Sequence, residues 1–205
     1  MAMKMKKPDR RSERSRAALM KAFNDLLLSE GYEEVTVERV AERANIGRST
    51  FYVHYACKED ILKQSITRPS SHLAILIGRD VTPDMLLAIL QHFREQRTRN
   101  RVFFVAPVRP LWVKCLAGMI EPRLAAVSRH AHGRPVLPLP LIARQLAEAQ
   151  IGLVANWLTG SGGVKAEAIA EALIETTRAS LCALLRVKPG TMLFIPGEKL
   201  RIVRV

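Results

Sequence analysis

The sequence predicts an all-α fold, and three observations predict it. Apolar residues recur at three- and four-residue steps over several long stretches. Capping and stopping residues stand at the ends of those stretches. Val, Thr and Ile do not alternate over long runs, as strands would require. The 205 residues suffice for one or two domains with a proper core, and 48% hydrophobic with 25% charged residues is ordinary for a soluble protein.

The elements follow in order. Residues 1–11 read as a flexible basic arm, with Lys4, Lys6, Lys7, Arg10 and Arg11. Ser12 is the expected N-cap of a first helix, whose face is Ala18, Leu19, Ala22, Phe23, Leu26 and Leu27. Gly31 stops it. Thr36 caps a short second helix with Val37, Val40, Ala41 and Ala44 on one face. Asn45-Ile46-Gly47 then forms a tight turn, since Asn and Gly both tolerate positive φ. A third helix runs from about Arg48 to Tyr55, with Phe51 and Tyr55 four apart. Lys58-Glu59-Asp60 opens a fourth, with acids in the first turn, ending before Pro69.

Thr82-Pro83-Asp84 starts another helix, continued by Met85, Leu86, Ile89, Leu90 and Phe93. A helical segment follows Pro110, with a kink expected near Pro122. Residues 128–140, with Gly133 and three prolines, read as a loop. Long apolar helices span 140–159 and 165–187. The resulting plan is a domain of short helices over 12–68, a larger helical domain over 69–187, and a tail over 188–205 with no assigned structure.

The net charge is +13, which favours polyanionic partners. The excess is uneven: residues 1–63 hold 13 Lys or Arg against 10 Asp or Glu, and residues 64–205 hold 19 against 9. A nucleic-acid argument therefore rests on the placement of particular residues. Cys57, Cys115 and Cys182 are odd in number and far apart, which fits free thiols in a reducing compartment. No 18-residue apolar run and no signal peptide are seen, so the expected location is the cytoplasm, with no membrane partner. His130-x-His132 lacks a third ligand, so no metal is expected. No nucleotide-binding glycine loop, nucleophile elbow or paired carboxylate is present, so neither a cofactor nor catalysis is expected.

Two short helices joined by a three-residue turn, the first packed on a longer helix, make a helix-turn-helix. The major groove, about 12 Å wide, admits one such helix. Val40, Ala41, Ala44, Ile46, Phe51 and Tyr55 lock that helix in place, leaving Arg48, Ser49, Thr50, Tyr52 and His54 to face outward.

The stretch Thr36 to Leu62 resembles the DNA-binding region of the TetR family of bacterial repressors. Thr36, Val40-Ala41, Ala44, Thr50-Phe51-Tyr52, Tyr55 and Lys58-Glu59 before Leu62 carry the resemblance, which covers about residues 13–63. Asn45 stands where the family usually has Gly, Gly47 where Ser or Thr is common, and Tyr55 where Phe is usual.

The resemblance implies that Thr36 and Lys58 hold phosphates, that Arg48, Ser49, Thr50 and His54 meet base edges or phosphates, and that Tyr52 touches the DNA backbone. It further implies a homodimeric regulator, by default a repressor, released from a palindromic double-stranded DNA operator by a small-molecule effector. Expected effector-lining residues are Phe93, Phe103, Phe104, Trp112 and Met119. Expected dimer-seam residues are Leu153, Trp157, Leu173, Thr177 and Leu181. The alternatives are a non-specific basic nucleic-acid-binding protein and a helical enzyme on the same scaffold.

Overall fold

The structure, a computed structural model, describes residues 10–160, 163–188 and 193. Residues 1–9 of the expected basic arm, and all of the tail beyond 188 except 193, lie outside the described residues. The described chain is helical, with no strand among the described residues. It divides into two compact units, residues 1–65 and 66–205.

The first unit contains α1 (Arg10–Glu30), α2 (Val37–Arg43), α3 (Arg48–His54) and the start of α4 (Lys58–Ala74). α1 buries Leu19, Ala22, Phe23, Leu26 and Leu27 as one stripe. It begins two residues before Ser12, which is not its cap: the Ser12 carbonyl accepts from the Ser15 hydroxyl at 2.9 Å. Glu13 in the first turn complements the helix dipole there. Gly31 ends the helix at φ +88°, donating its N–H to the Leu27 carbonyl at 3.1 Å.

Thr36 caps α2 from an extended backbone, its Oγ1 accepting from the Arg39 N–H at 3.3 Å. The turn to α3 needs one left-handed residue, and Asn45 supplies it at φ +53°. Gly47, expected to share that task, is extended at φ −63°, ψ 145° and serves as the N-cap of α3. The Ile46 N–H closes the turn on the Ala41 carbonyl at 2.9 Å. α1, α2 and α3 pack on one another. Val40, Ala41, Phe51 and Tyr55 are buried between them, while Ala44 and Ile46 are half-buried. Phe51, wholly buried, contributes about 1.5–3 kcal/mol by transfer alone.

α4 runs through Pro69 rather than stopping before it. Ser70, Leu73 and Ala74, beyond the proline, are buried in the second unit, and that burial outweighs the missing N–H.

The second unit continues with α5 (Asp84–Glu95), α6 (Arg97–Asn100), a 3₁₀ turn (Arg101–Phe104), α7 (Val108–His130), α8 (Leu139–Thr159) and α9 (Ala166–Leu185). α7 starts before Pro110 and continues through Pro122. Pro110 sits in the first turn, where its missing N–H costs nothing. Gly118, whose carbonyl loses its partner at Pro122, and Pro122 itself both face solvent. α8 packs against α7 on one side and α9 on the other, and α9 also packs on α5. The loop after α7 returns to cap α9, with Arg134 N–H on the Leu185 carbonyl at 2.7 Å and Val136 N–H on Leu184 at 2.9 Å.

This packing corrects the expected dimer seam. Leu173, Thr177 and Leu181 are buried within the single chain, because α9 has its apolar stripe covered by α5 and α8. Thr177 also accepts from Gln150 Nε2 at 3.3 Å. Leu153 and Trp157 keep partial exposure, and the Trp157 indole donates to the Val164 carbonyl at 2.9 Å.

Three of the five expected effector-lining residues are buried in the second unit. Trp112 packs at 5.0 Å from Phe104, 6.0 Å from Phe93 and 6.2 Å from Phe103, and its indole N–H donates to Ser70 Oγ at 3.0 Å. Phe93, Phe104 and Trp112 are buried against one another, leaving only Phe103 and Met119 with surface to offer.

Candidate nucleic-acid interface

α3 sorts its side chains into two sets. Phe51 points inward and meets Tyr55, just past the helix end, with ring centres 5.5 Å apart. Arg48, Ser49, Tyr52 and Val53 face outward. The pairs 48/52 and 49/53 are each one turn apart, so the four make a single strip. Tyr52 is 51% exposed, its ring held edge-on to Phe51 at 5.6 Å. Thr50 and His54 flank the strip and are half-buried. Burial holds the Tyr55 phenol above its ordinary pKa, and the Arg16 guanidinium partly offsets this.

Val53, 77% exposed, went unnoticed in the sequence. Its signal was present: two residues after the buried Phe51, it falls off the inward face, yet it is apolar.

Arg48 is not a lone cation. Its Nη2 lies 2.6 Å from Glu38 Oε1, on α2. The Glu38 carboxyl is held below the ordinary value, first by its own backbone N–H, then by the Arg48 charge, with a smaller contribution from the Thr36 hydroxyl. One expected DNA contact, Arg48, is thus engaged by a carboxylate that the expected contacts did not include.

His54 Nε2 lies 2.8 Å from Ser15 Oγ on α1. Ser15 has one hydroxyl proton, and it goes to the Ser12 carbonyl. The imidazole is therefore the donor to Ser15, which assigns the proton to Nε2 and leaves Nδ1 as the remaining ring nitrogen. This bond ties the end of α3 to α1.

Lys58 is placed differently from the phosphate anchor expected. Its Nζ donates to the Tyr32 and Val35 carbonyls, each at 3.0 Å, and sits 4.3 Å above the Tyr32 ring. Two of its three donors therefore fasten the loop between α1 and α2.

Among the described residues, no group of three metal-ligating side chains is assembled, and no helix is long and apolar enough to cross a membrane. The three cysteines carry free thiols.

Residues 19–64 match the family model described as bacterial regulatory proteins, tetR family. The chain is 42% identical over 71 residues to YxbF of Bacillus subtilis (strain 168), an uncharacterised HTH-type transcriptional regulator, over 34% of this chain and 19% of that protein. It is 34% identical over 93 residues to the HTH-type transcriptional regulator TcmR of Streptomyces glaucescens, over 45% of this chain and 41% of that one. The chain thus spans between about a fifth and two-fifths of the length of the curated relatives it matches. Among solved structures, a TetR transcriptional regulator from Streptococcus agalactiae 2603V superposes with a TM-score of 0.55 at 27% identity, covering 82% of this chain and 96% of that one. The helix-turn-helix geometry and the family match agree over residues 19–64, which form a DNA-binding domain of the tetR family type, and the likeness in fold to a TetR transcriptional regulator spans both units.

Proposed function

We propose that this chain is a cytoplasmic transcriptional repressor that binds a palindromic DNA operator as a homodimer and releases it when the second unit takes up a small-molecule effector. The observation that carries the reading is the outward strip of α3, held rigid from behind by Phe51. A helix presented this way fits a major groove. Arg48 bridges two acceptors of a guanine, a contact that discriminates by roughly 1–3 kcal/mol. Tyr52 meets the DNA backbone, and Ser49 and Thr50 meet nearby base edges or phosphates. Val53 supplies an apolar contact for a thymine methyl. His54 contributes Nδ1, and Lys58 its third proton.

A dimer sets its two recognition helices about 34–36 Å apart to meet successive grooves. An effector that prefers another spacing shifts the population away from DNA, and by linkage DNA weakens the effector equally. The half-buried Leu153 and Trp157 belong to the dimer contact, and Phe103 and Met119 to the effector site.

The test is a gel-shift measurement on duplex fragments from around the chain's own gene. Wild-type protein is expected to retard one fragment, while Arg48→Ala and Tyr52→Ala bind it at least tenfold more weakly with unchanged circular dichroism. If both variants bind as wild type does, the reading fails.

A further inference from the structure

Arg48, at the start of α3, finds its partner across the turn on α2: its Nη2 lies 2.6 Å from Glu38 Oε1. Glu38 is exposed on the same side of the unit as the α3 strip, with a little over half of its side chain in solvent. A carboxylate at this place offers Arg48 what a phosphate oxygen or a guanine edge would offer: a planar or anionic acceptor at hydrogen-bonding distance. It also brings a negative charge toward any polyanion that approaches.

We propose that Glu38 is a specificity-determining residue that acts as an internal stand-in for DNA, occupying Arg48 until a guanine correctly placed in the operator displaces it. This rests on the DNA-binding reading given above. Any duplex must repel or exchange Glu38, so the residue weakens all DNA binding. Only a site that gives Arg48 a two-point acceptor recovers the loss. Discrimination then comes from an element working against the wrong partner.

Alternative roles for Glu38 predict something else. As a first-turn acid it stabilises α2 through the dipole, and its loss would lower stability without touching sequence preference. The side chain is exposed, so Glu38→Gln keeps shape and hydrogen bonding while removing the charge.

The experiment uses the full chain, as wild type, Glu38→Gln, Arg48→Ala and the double variant. The probes are a duplex enriched by the wild type from a randomised pool and a shuffled duplex of the same composition. Fluorescence anisotropy is read across a salt series. Glu38→Gln is expected to bind the shuffled duplex roughly fivefold more tightly, the scale of one exposed ion pair. Its salt slope on that duplex steepens by about one ion, and its preference for the enriched duplex falls. In the Arg48→Ala background, Glu38→Gln no longer changes the preference. If Glu38→Gln binds the shuffled duplex no more tightly than wild type, the proposal is overturned, even where melting shows a weakened α2. An undiminished preference, or one that still falls without Arg48, overturns it equally. A wild-type chain that enriches no sequence from the pool overturns the DNA-reading function itself.

Discussion

The two units of this chain use their residues in opposite ways. The first holds 13 Lys or Arg against 10 Asp or Glu, the second 19 against 9. The less basic unit is nonetheless the one that presents the outward strip of α3. In it, Arg39 pairs with Glu30, Arg48 with Glu38, and Lys63 with Asp60. Charge there is held in fixed positions on short helices over a thin apolar lock. The second unit buries an aromatic cluster and four long apolar stripes. Net charge favours a polyanion, and the proposed DNA contact rests on the placement of groups along a rigid, outward helix.

The aromatic residues divide along the same line. All three tyrosines, Tyr32, Tyr52 and Tyr55, lie in the first unit, and both tryptophans, Trp112 and Trp157, in the second. Tyrosine absorbance and tryptophan fluorescence therefore report the units separately, which gives direct ways to break or sharpen the contrast.

The largest effect expected is on the lock. Phe51→Ala empties a fully buried ring site and should destabilise the first unit by about 3–5 kcal/mol, enough to lose α3 in an isolated small unit. Its tyrosine signal should melt early while tryptophan emission still reports a folded second unit. Concerted melting of both signals would show the units to be one cooperative body.

In the second unit, Ser70→Ala removes the acceptor of the buried Trp112 indole N–H. The expected cost is about 1–3 kcal/mol, read as a lower melting temperature by tryptophan fluorescence with the tyrosine signal unmoved.

The third expectation is set by pH. Burial raises the phenol of Tyr32 and of Tyr55 above the ordinary value of 10.0. Above pH 10 the unfolded chain loses those protons while the folded first unit keeps them. Stability of that unit should therefore fall as pH rises, by about 1.4 kcal/mol per pH unit for each tyrosine held protonated. Tyr55→Phe should remove its share of the slope, measured by circular dichroism with tyrosinate absorbance. An unchanged slope would mean that Tyr55 ionises normally in the folded protein.

Much of the first unit was legible before any coordinates, because its signals are local. Thr36 as a cap, Gly31 as a stop and Asn45 in the turn each follow from what one residue's backbone and side chain allow. The exposed strip of Arg48, Ser49 and Tyr52 follows from helical period once Phe51 is taken as buried. The second unit was less legible. Pro69 and Pro122 look like helix breakers in isolation, yet α4 and α7 pass through them, one held by burial beyond the proline and the other spared by solvent. Leu173, Thr177 and Leu181 form an apolar stripe whose cover was assigned to a partner and lies within the chain.

By itself the sequence determined where the helices of the first unit start, which short helix is presented outward and what lock holds it, since capping, turn geometry and 3.6-residue spacing act over a few neighbours. Only the tertiary structure decided how the presented groups are occupied: Arg48 by Glu38, His54 by Ser15, and Lys58 by the Tyr32 and Val35 carbonyls. Those partners lie 10 to 39 positions away along the chain, and a side chain's nearest acceptor in space is fixed by packing, not by sequence spacing.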